Sequence, residues 1–264
     1  MTWQPRSTAP GLLLLLGAAL LLGAACPLLA RGQDAGEAPP PEKTEVWKPE
    51  PPAVAPGAQN QAPPSDAVVL FRGDDLSAWQ HSDGSAAGWS IDGNAMTVTP
   101  GSGGIETKQS FGDVQLHIEW RTPADTAGLS GQGPGNSGIF LQKRYEVQIL
   151  SSYENRTYSN GQAGSIYKQH IPAVNASTPP GTWQSYDIVF TAPRFEEDGS
   201  LASPARMTVF HNGVLLHHNV ALEGSTTYRG EPSYEAHPPE APLLLQDHSQ
   251  PVQFRNVWVR EIDS

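Results

Sequence analysis

The sequence predicts an all-β sandwich or jelly roll, and three observations carry that prediction. Apolar and polar residues alternate over many short stretches, Gly and Pro fall between those stretches, and the 3.6-residue period of an amphipathic helix is almost absent. "VQLHIEWR" (114–121) shows the alternation well: Val114, Leu116, Ile118 and Trp120 share one face, and Gln115, His117, Glu119 and Arg121 share the other. In chain order the further candidate strands are "SIDGNAMTV", "SGIFLQ", "YEVQIL", "QSYDIVFTA", "ARMTVFH", "VLLHHNV", "PLLLQDH" and "VQFRNVWVREI". "HNG" (211–213) joins two of them as a hairpin, because Asn-Gly accepts the positive φ of a primed turn. No repeat period is present.

"YEVQIL" (145–150) poses the functional question. Tyr145, Val147 and Ile149 suit a core, while the opposite face carries Glu146 and Gln148. Two long irregular segments interrupt the strands. The first, 121–138, is Gly-rich; the second, 151–181, is long and polar, with tyrosines at 153, 158 and 167 that suit sugar faces. Loops of this length in a compact domain are usually functional or disordered, and the second could equally be a loop packed on its own aromatics.

The 264-residue chain has a formal charge of −11, which argues against a nucleic-acid partner. Three segments divide it. Residues 1–32 read as an export signal, with Arg6 in the positive region and "GLLLLLGAALLLGAAC" as an apolar stretch short of the ~20 residues of a membrane span. Two endings fit: cleavage after Gly32, which removes Cys26, or lipidation at Cys26, against which Gly23 and Pro27 stand. A retained N-terminal anchor is the alternative. Residues 33–65, rich in Pro, Ala and Glu, read as a disordered linker. Residues 66–264 are long enough for one large core. The expected location is the periplasm or the cell surface, with no stable membrane span in the mature form. Cys26 is the sole cysteine, so the mature domain has no disulfide.

"GNSGIFLQ", "YEVQIL", "GSIY", "GTWQSYDIVF", "HNGVLL" and "LLLQDHSQPVQFRNVWVREI" occur in an order that resembles the 3-keto-disaccharide hydrolase domain family, over roughly residues 66 to 262. The resemblance implies a concanavalin A-like jelly roll of two curved antiparallel sheets, in exported bacterial proteins, that cleaves glycosides oxidised to a ketone at C3. Ser151 and Ser249 depart from the Asp and Gly common in the family, and an acidic insert spans 193–205.

On that resemblance, Glu146 is the expected base and His248 the acid or carbonyl polariser. Asn136, Gln148, Gln246 and Arg255 would bind hydroxyls or stabilise developing charge. Gln246 and His248 share a strand face, with Asp247 opposite; Arg255 has the parity of Val257 and Val259, so only a bulge or strand end would bring it to the groove. Four of the six also have a plain structural reading: Glu146 as a solvated strand residue, His248 and Asn136 in turns, Arg255 paired with Asp247. No metal is expected, because the histidines show no ligand spacing and His217 and His218 point to opposite faces of a strand. No cofactor is expected either: there is no nucleophile elbow, phosphate loop or dinucleotide fingerprint. Oxidation to the ketone would therefore need a partner sugar 3-oxidoreductase. The reading from a different class is a non-catalytic, lectin-like carbohydrate-binding module that uses the same groove.

Overall fold

The computed structural model describes residues 61–262, so the export signal and the linker before Gln61 lie outside the described residues. In chain order the strands are β1 (Val68–Phe71), β2 (Trp79–Gln80), β3 (Ser90–Asp92), β4 (Ala95–Thr97), β5 (Ile105–Phe111), β6 (Val114–Arg121), β7 (Ser137–Leu141), β8 (Tyr145–Ile149), β9 (Gln184–Thr191), β10 (Arg194–Phe195), β11 (Leu201–Ser203), β12 (Arg206–His211), β13 (Val214–Ala221), β14 (Ala241–Leu245) and β15 (Gln253–Glu261). One antiparallel sheet runs β13-β12-β9-β6-β15-β4-β3, with β1 also on β15, and the second runs β2-β5-β14-β7-β8. The fold is the all-β jelly-roll sandwich that the alternation predicts. Among the described residues no helix is long and apolar enough to cross a membrane.

The core lies between the two sheets. Leu116, Ile118 and Trp120 of β6, with Tyr186, Ile188 and Phe190 of β9, are fully buried from one side, and Ile139, Tyr145, Val147 and Ile149 from the other. Tyr145 meets Phe190 with ring centroids 5.5 Å apart, and the Tyr186 hydroxyl donates to the Gln148 carbonyl at 2.8 Å. These contacts lock β8 onto β9 and leave the alternate residues of β8 facing away from the core.

Local chemistry explains where the strand boundaries differ from expectation. "SIDGNAMTV" is two strands, because Asp92 pairs with Ala95 and Gly93 takes a φ of +61° between them. "HNG" makes the expected two-residue turn, with His211 paired to Val214 and both central residues at positive φ. Strand β5 was not among the candidates: "IETKQSF" has no sustained alternation, and its pairing with β14 shifts register between Pro242 and Leu244. The acidic insert supplies the separate β10-β11 hairpin.

Candidate active site

Strands β14, β7 and β8 run abreast, and their register assembles a cleft on the sheet face turned from the core. Gly138 lies opposite Gln148, and Phe140 lies opposite both Glu146 and Leu244. The Gln246 amide donates to the Gly138 carbonyl at 3.0 Å. Gln246, Gly138 and Gln148 therefore form one row, and the missing side chain in its middle leaves a hollow. A Cβ at Gly138 would stand 2.5 Å from Glu146 Oε1 and 2.9 Å from the Phe140 ring. The glycine is needed for space, not for an unusual φ.

The hollow is a cleft of about 210 Å³ lined by Asn136, Phe140, Glu146, Gln148, Gln246 and His248, together with Tyr167, Thr226 and Tyr228. Five of the six residues expected at a site thus meet in one place. Residues 164–167 and Thr226 wall the groove along the edge of β8 that β7 leaves open. Gly164 N donates to Gln148 O (2.9 Å), Gln148 N to Ser165 O (3.0 Å) and Tyr167 N to Glu146 O (3.1 Å), while Glu146 N donates to Thr226 Oγ1 (3.0 Å). Glu146 and Gln148 are only 5% and 1% exposed.

Glu146 is not the solvated strand residue of the plain reading. Among the described residues its carboxylate pairs with no cation, and burial alone pushes its pKa up to about 8. Gln148 Nε2 donates to Gln132 Oε1 at 3.0 Å, and Gln132 is anchored by Thr157 Oγ1 and the Gly161 carbonyl. Turned over, the same amide donates to Ser137 O at 2.7 Å and to Glu146 Oε1 at 3.1 Å. That second orientation gives Glu146 a donor and removes the facing of the Gln148 oxygen on acceptors alone. Asn136 donates to the Gln132 carbonyl at 2.9 Å. Among the described residues Gln246 Oε1 is a buried acceptor without a hydrogen-bond partner, a position that a ligand hydroxyl can satisfy. His248 stands exposed on the rim, and its ring makes no hydrogen bond among the described residues.

Arg255 requires a correction. The bulge exists, with Asn256 at φ +46° and a register shift between Arg255 and Trp258, but it turns Arg255 to the outer face of the other sheet. There Arg255 Nε donates to Glu119 Oε2 at 2.6 Å and the guanidinium lies 4.1 Å over the Trp183 ring. It does not pair with Asp247, whose carboxylate accepts from Gly101 N, Gly103 N and Ser249 N. Burial pushes Glu119 upward, but His117, Asn256 and Arg255 outweigh it and hold the carboxyl at about 2. Ser249 takes a φ of +60°, the left-handed region where the family's common Gly fits without strain.

The loop residues of the cleft were the hardest to find from sequence. Tyr167 sits in the long 151–181 segment whose tyrosines were the available signal; Thr226 and Tyr228 come from a connection with no motif.

Fold and site together define a class: a two-sheet β-sandwich with an amide-lined cleft around one buried carboxylate. The sequence profile of the 3-keto-alpha-glucoside-1,2-lyase-like domain matches residues 66–260, and the chain belongs to that family. The family makes it a carbohydrate-related protein of glycosyl-hydrolase-like kind. The solved structure of a candidate glycosyl hydrolase from Parabacteroides distasonis ATCC 8503 is 47% identical, with a TM-score of 0.82, over 86% of this chain and 99% of that one. Two further candidate glycosyl hydrolases from the same organism are 20% and 16% identical, with TM-scores of 0.53 and 0.51. They cover 75% and 74% of this chain, and 94% and 99% of their own, and share the fold. A search of curated proteins gave no match.

Proposed function

We propose that this domain cleaves 3-keto-glycosides by elimination and hydration in the cleft around Glu146. One observation carries the reading: Glu146 is the single carboxylate among the residues that line the cleft. Ordinary retaining or inverting hydrolysis uses two carboxyl groups about 5 to 9.5 Å apart. A ketone at C3 removes the need for a pair, because it acidifies the hydrogen on C2. The Glu146 carboxylate takes that proton and the C–H electrons become an enolate. The C1–O bond then breaks as the leaving oxygen takes a proton. Water adds its oxygen to C1, a proton returns to C2, and one water is consumed overall.

The surroundings suit this chemistry. Desolvation makes Glu146 a stronger base than an exposed glutamate, with a pKa near the pH where a base works best. Asn136, Gln148 and Gln246 are neutral groups that hold hydroxyls and the enolate oxygen, and His248 polarises the ketone or protonates the leaving oxygen. Because the ionised form is the active one, turnover should rise as pH rises through about 8. The domain works after export, a reading supported by the pattern of residues 1–32, and receives its ketone from a separate sugar 3-oxidoreductase.

The test follows sugar release from a 3-keto-disaccharide and from its unoxidised parent, with wild type and Glu146→Gln. Release from the ketone alone, reduced about 10²-fold or more in the variant, is the expected result. Equal release from the parent would replace this reading with ordinary glycoside hydrolysis. Binding of both sugars without release of either would make the domain the lectin-like module.

A further inference from the structure

We propose that Tyr167 is the proton donor to the departing C1 oxygen, and that the cavity beyond it holds the leaving sugar of the disaccharide. The proposal rests on the keto-glycoside reading and adds a catalytic residue to the same site, which leaves His248 to polarise the ketone. Tyr167 lines two cavities: the cleft of about 210 Å³ around Glu146, and a neighbour of about 360 Å³ walled by Tyr158, Asn160, Gln169 and Thr227. The segment 226–228 divides in the same way, with Thr226 and Tyr228 on the first cavity and Thr227 on the second. The first cavity is on the scale of one sugar ring. A disaccharide with its oxidised ring beside Glu146 therefore sends its glycosidic bond past Tyr167.

The local geometry holds this boundary in place. Tyr167 N donates to the Glu146 carbonyl, so the tyrosine backbone is fixed directly beside the base. Lys168 Nζ donates to the Tyr228 carbonyl at 2.6 Å and lies 4.5 Å over that ring, tying the two loop walls together. The Tyr167 and Tyr158 hydroxyls are 2.6 Å apart. Either hydroxyl can donate in that bond, and when Tyr158 does, the Tyr167 proton is free for a substrate oxygen. Tyrosine and amide walls also match a sugar, whose apolar C–H faces are edged by hydroxyls. Burial, then the Tyr158 hydroxyl, raises the Tyr167 phenol above its usual value, so it stays protonated at neutral pH and suits an alkoxide leaving group.

The protons balance over the cycle. In the elimination Glu146 gains the C2 proton, and Tyr167 gives its own to the C1 oxygen as that bond breaks. In the hydration the Tyr167 phenolate takes a proton from the water whose oxygen bonds to C1, and Glu146 returns its proton to C2. Both groups end as they began.

Tyr167→Phe should be compared with wild type on two 3-keto substrates that differ only in the leaving group, a sugar and a nitrophenol. Nitrophenolate leaves without a proton. The expected result is a fall in kcat/KM of about 10²-fold or more on the disaccharide, with nitrophenyl release close to wild type, which also shows that the variant folds. Tyr158→Phe keeps the donor and should lower disaccharide turnover more mildly. Equal losses on both substrates, or no loss on the disaccharide, would overturn the assignment and leave the keto-glycoside reading standing. No release from either substrate by wild type would sink the reading and this assignment with it.

Discussion

Gly138 shapes the cleft by lacking a side chain. It separates Gln148 from Gln246 in the row across β8, β7 and β14, and Glu146 Oε1 occupies the space that a methyl group would need. In Gly138→Ala the end of the flexible Glu146 side chain should yield before the backbone does. A displaced base costs on the order of 10² in kcat, while the overpacking costs about 1–3 kcal/mol of stability. Kinetics and a thermal melt on the same sample separate the two effects. Glu146 also makes a pH-dependent prediction about stability. Below about 4.5 the carboxyl is protonated in folded and unfolded chains alike. Between about 4.5 and 8 the unfolded chain loses the proton that the folded chain keeps, so stability falls as pH rises. Glu146→Gln should remove that fall and outmelt wild type at pH 9, by on the order of a few kcal/mol, while the two nearly coincide at pH 4. A variant that melts below wild type at pH 9 would contradict the buried, unpaired carboxyl. The facing of Glu146 and Gln148 could be read from alternation alone; the need for Gly138 could not, because it depends on which strand lies alongside.

Within the strands, β15 shows how one irregular residue redirects a side chain. Asn256 in the left-handed region moves Arg255 off the parity of Val257 and Val259 and seats it between Glu119 and Trp183. The sequence raised the bulge as a requirement, but parity does not reveal which sheet a strand joins. Arg255 therefore acts as a structural partner of Glu119. Arg255→Ala should destabilise the fold by about 1–3 kcal/mol, because Glu119 is left buried with fewer partners. Turnover per folded molecule should not change. Urea melts and kcat/KM check both halves, and a selective loss of turnover would return Arg255 to the cleft's machinery. Strand β5 escaped notice for a related reason: its burial comes from the strands around it and not from its own pattern.

The described domain is built on two large sheets with different duties. Their inner faces carry the alternating apolar residues that made the sandwich legible, and the outer face of the smaller sheet carries the cleft. The family pattern singled out five of the cleft's residues because they lie on or directly beside regular strands. Of its outer walls, Tyr167 was legible only as one of three loop tyrosines and the end of "GSIY", while Thr226 and Tyr228 arrive on a connection whose path no periodicity records. What unites the site chemically is a solitary carboxylate among neutral amides, and the proposed reaction begins there, at the C2 hydrogen. It can be followed with a 3-keto-disaccharide carrying deuterium at C2, by measuring the rate of sugar release and the label left in the product. Release slower than from the unlabelled substrate, or loss of the label to water, is the outcome expected if Glu146 removes that hydrogen. Release at an unchanged rate with the label fully retained would contradict it.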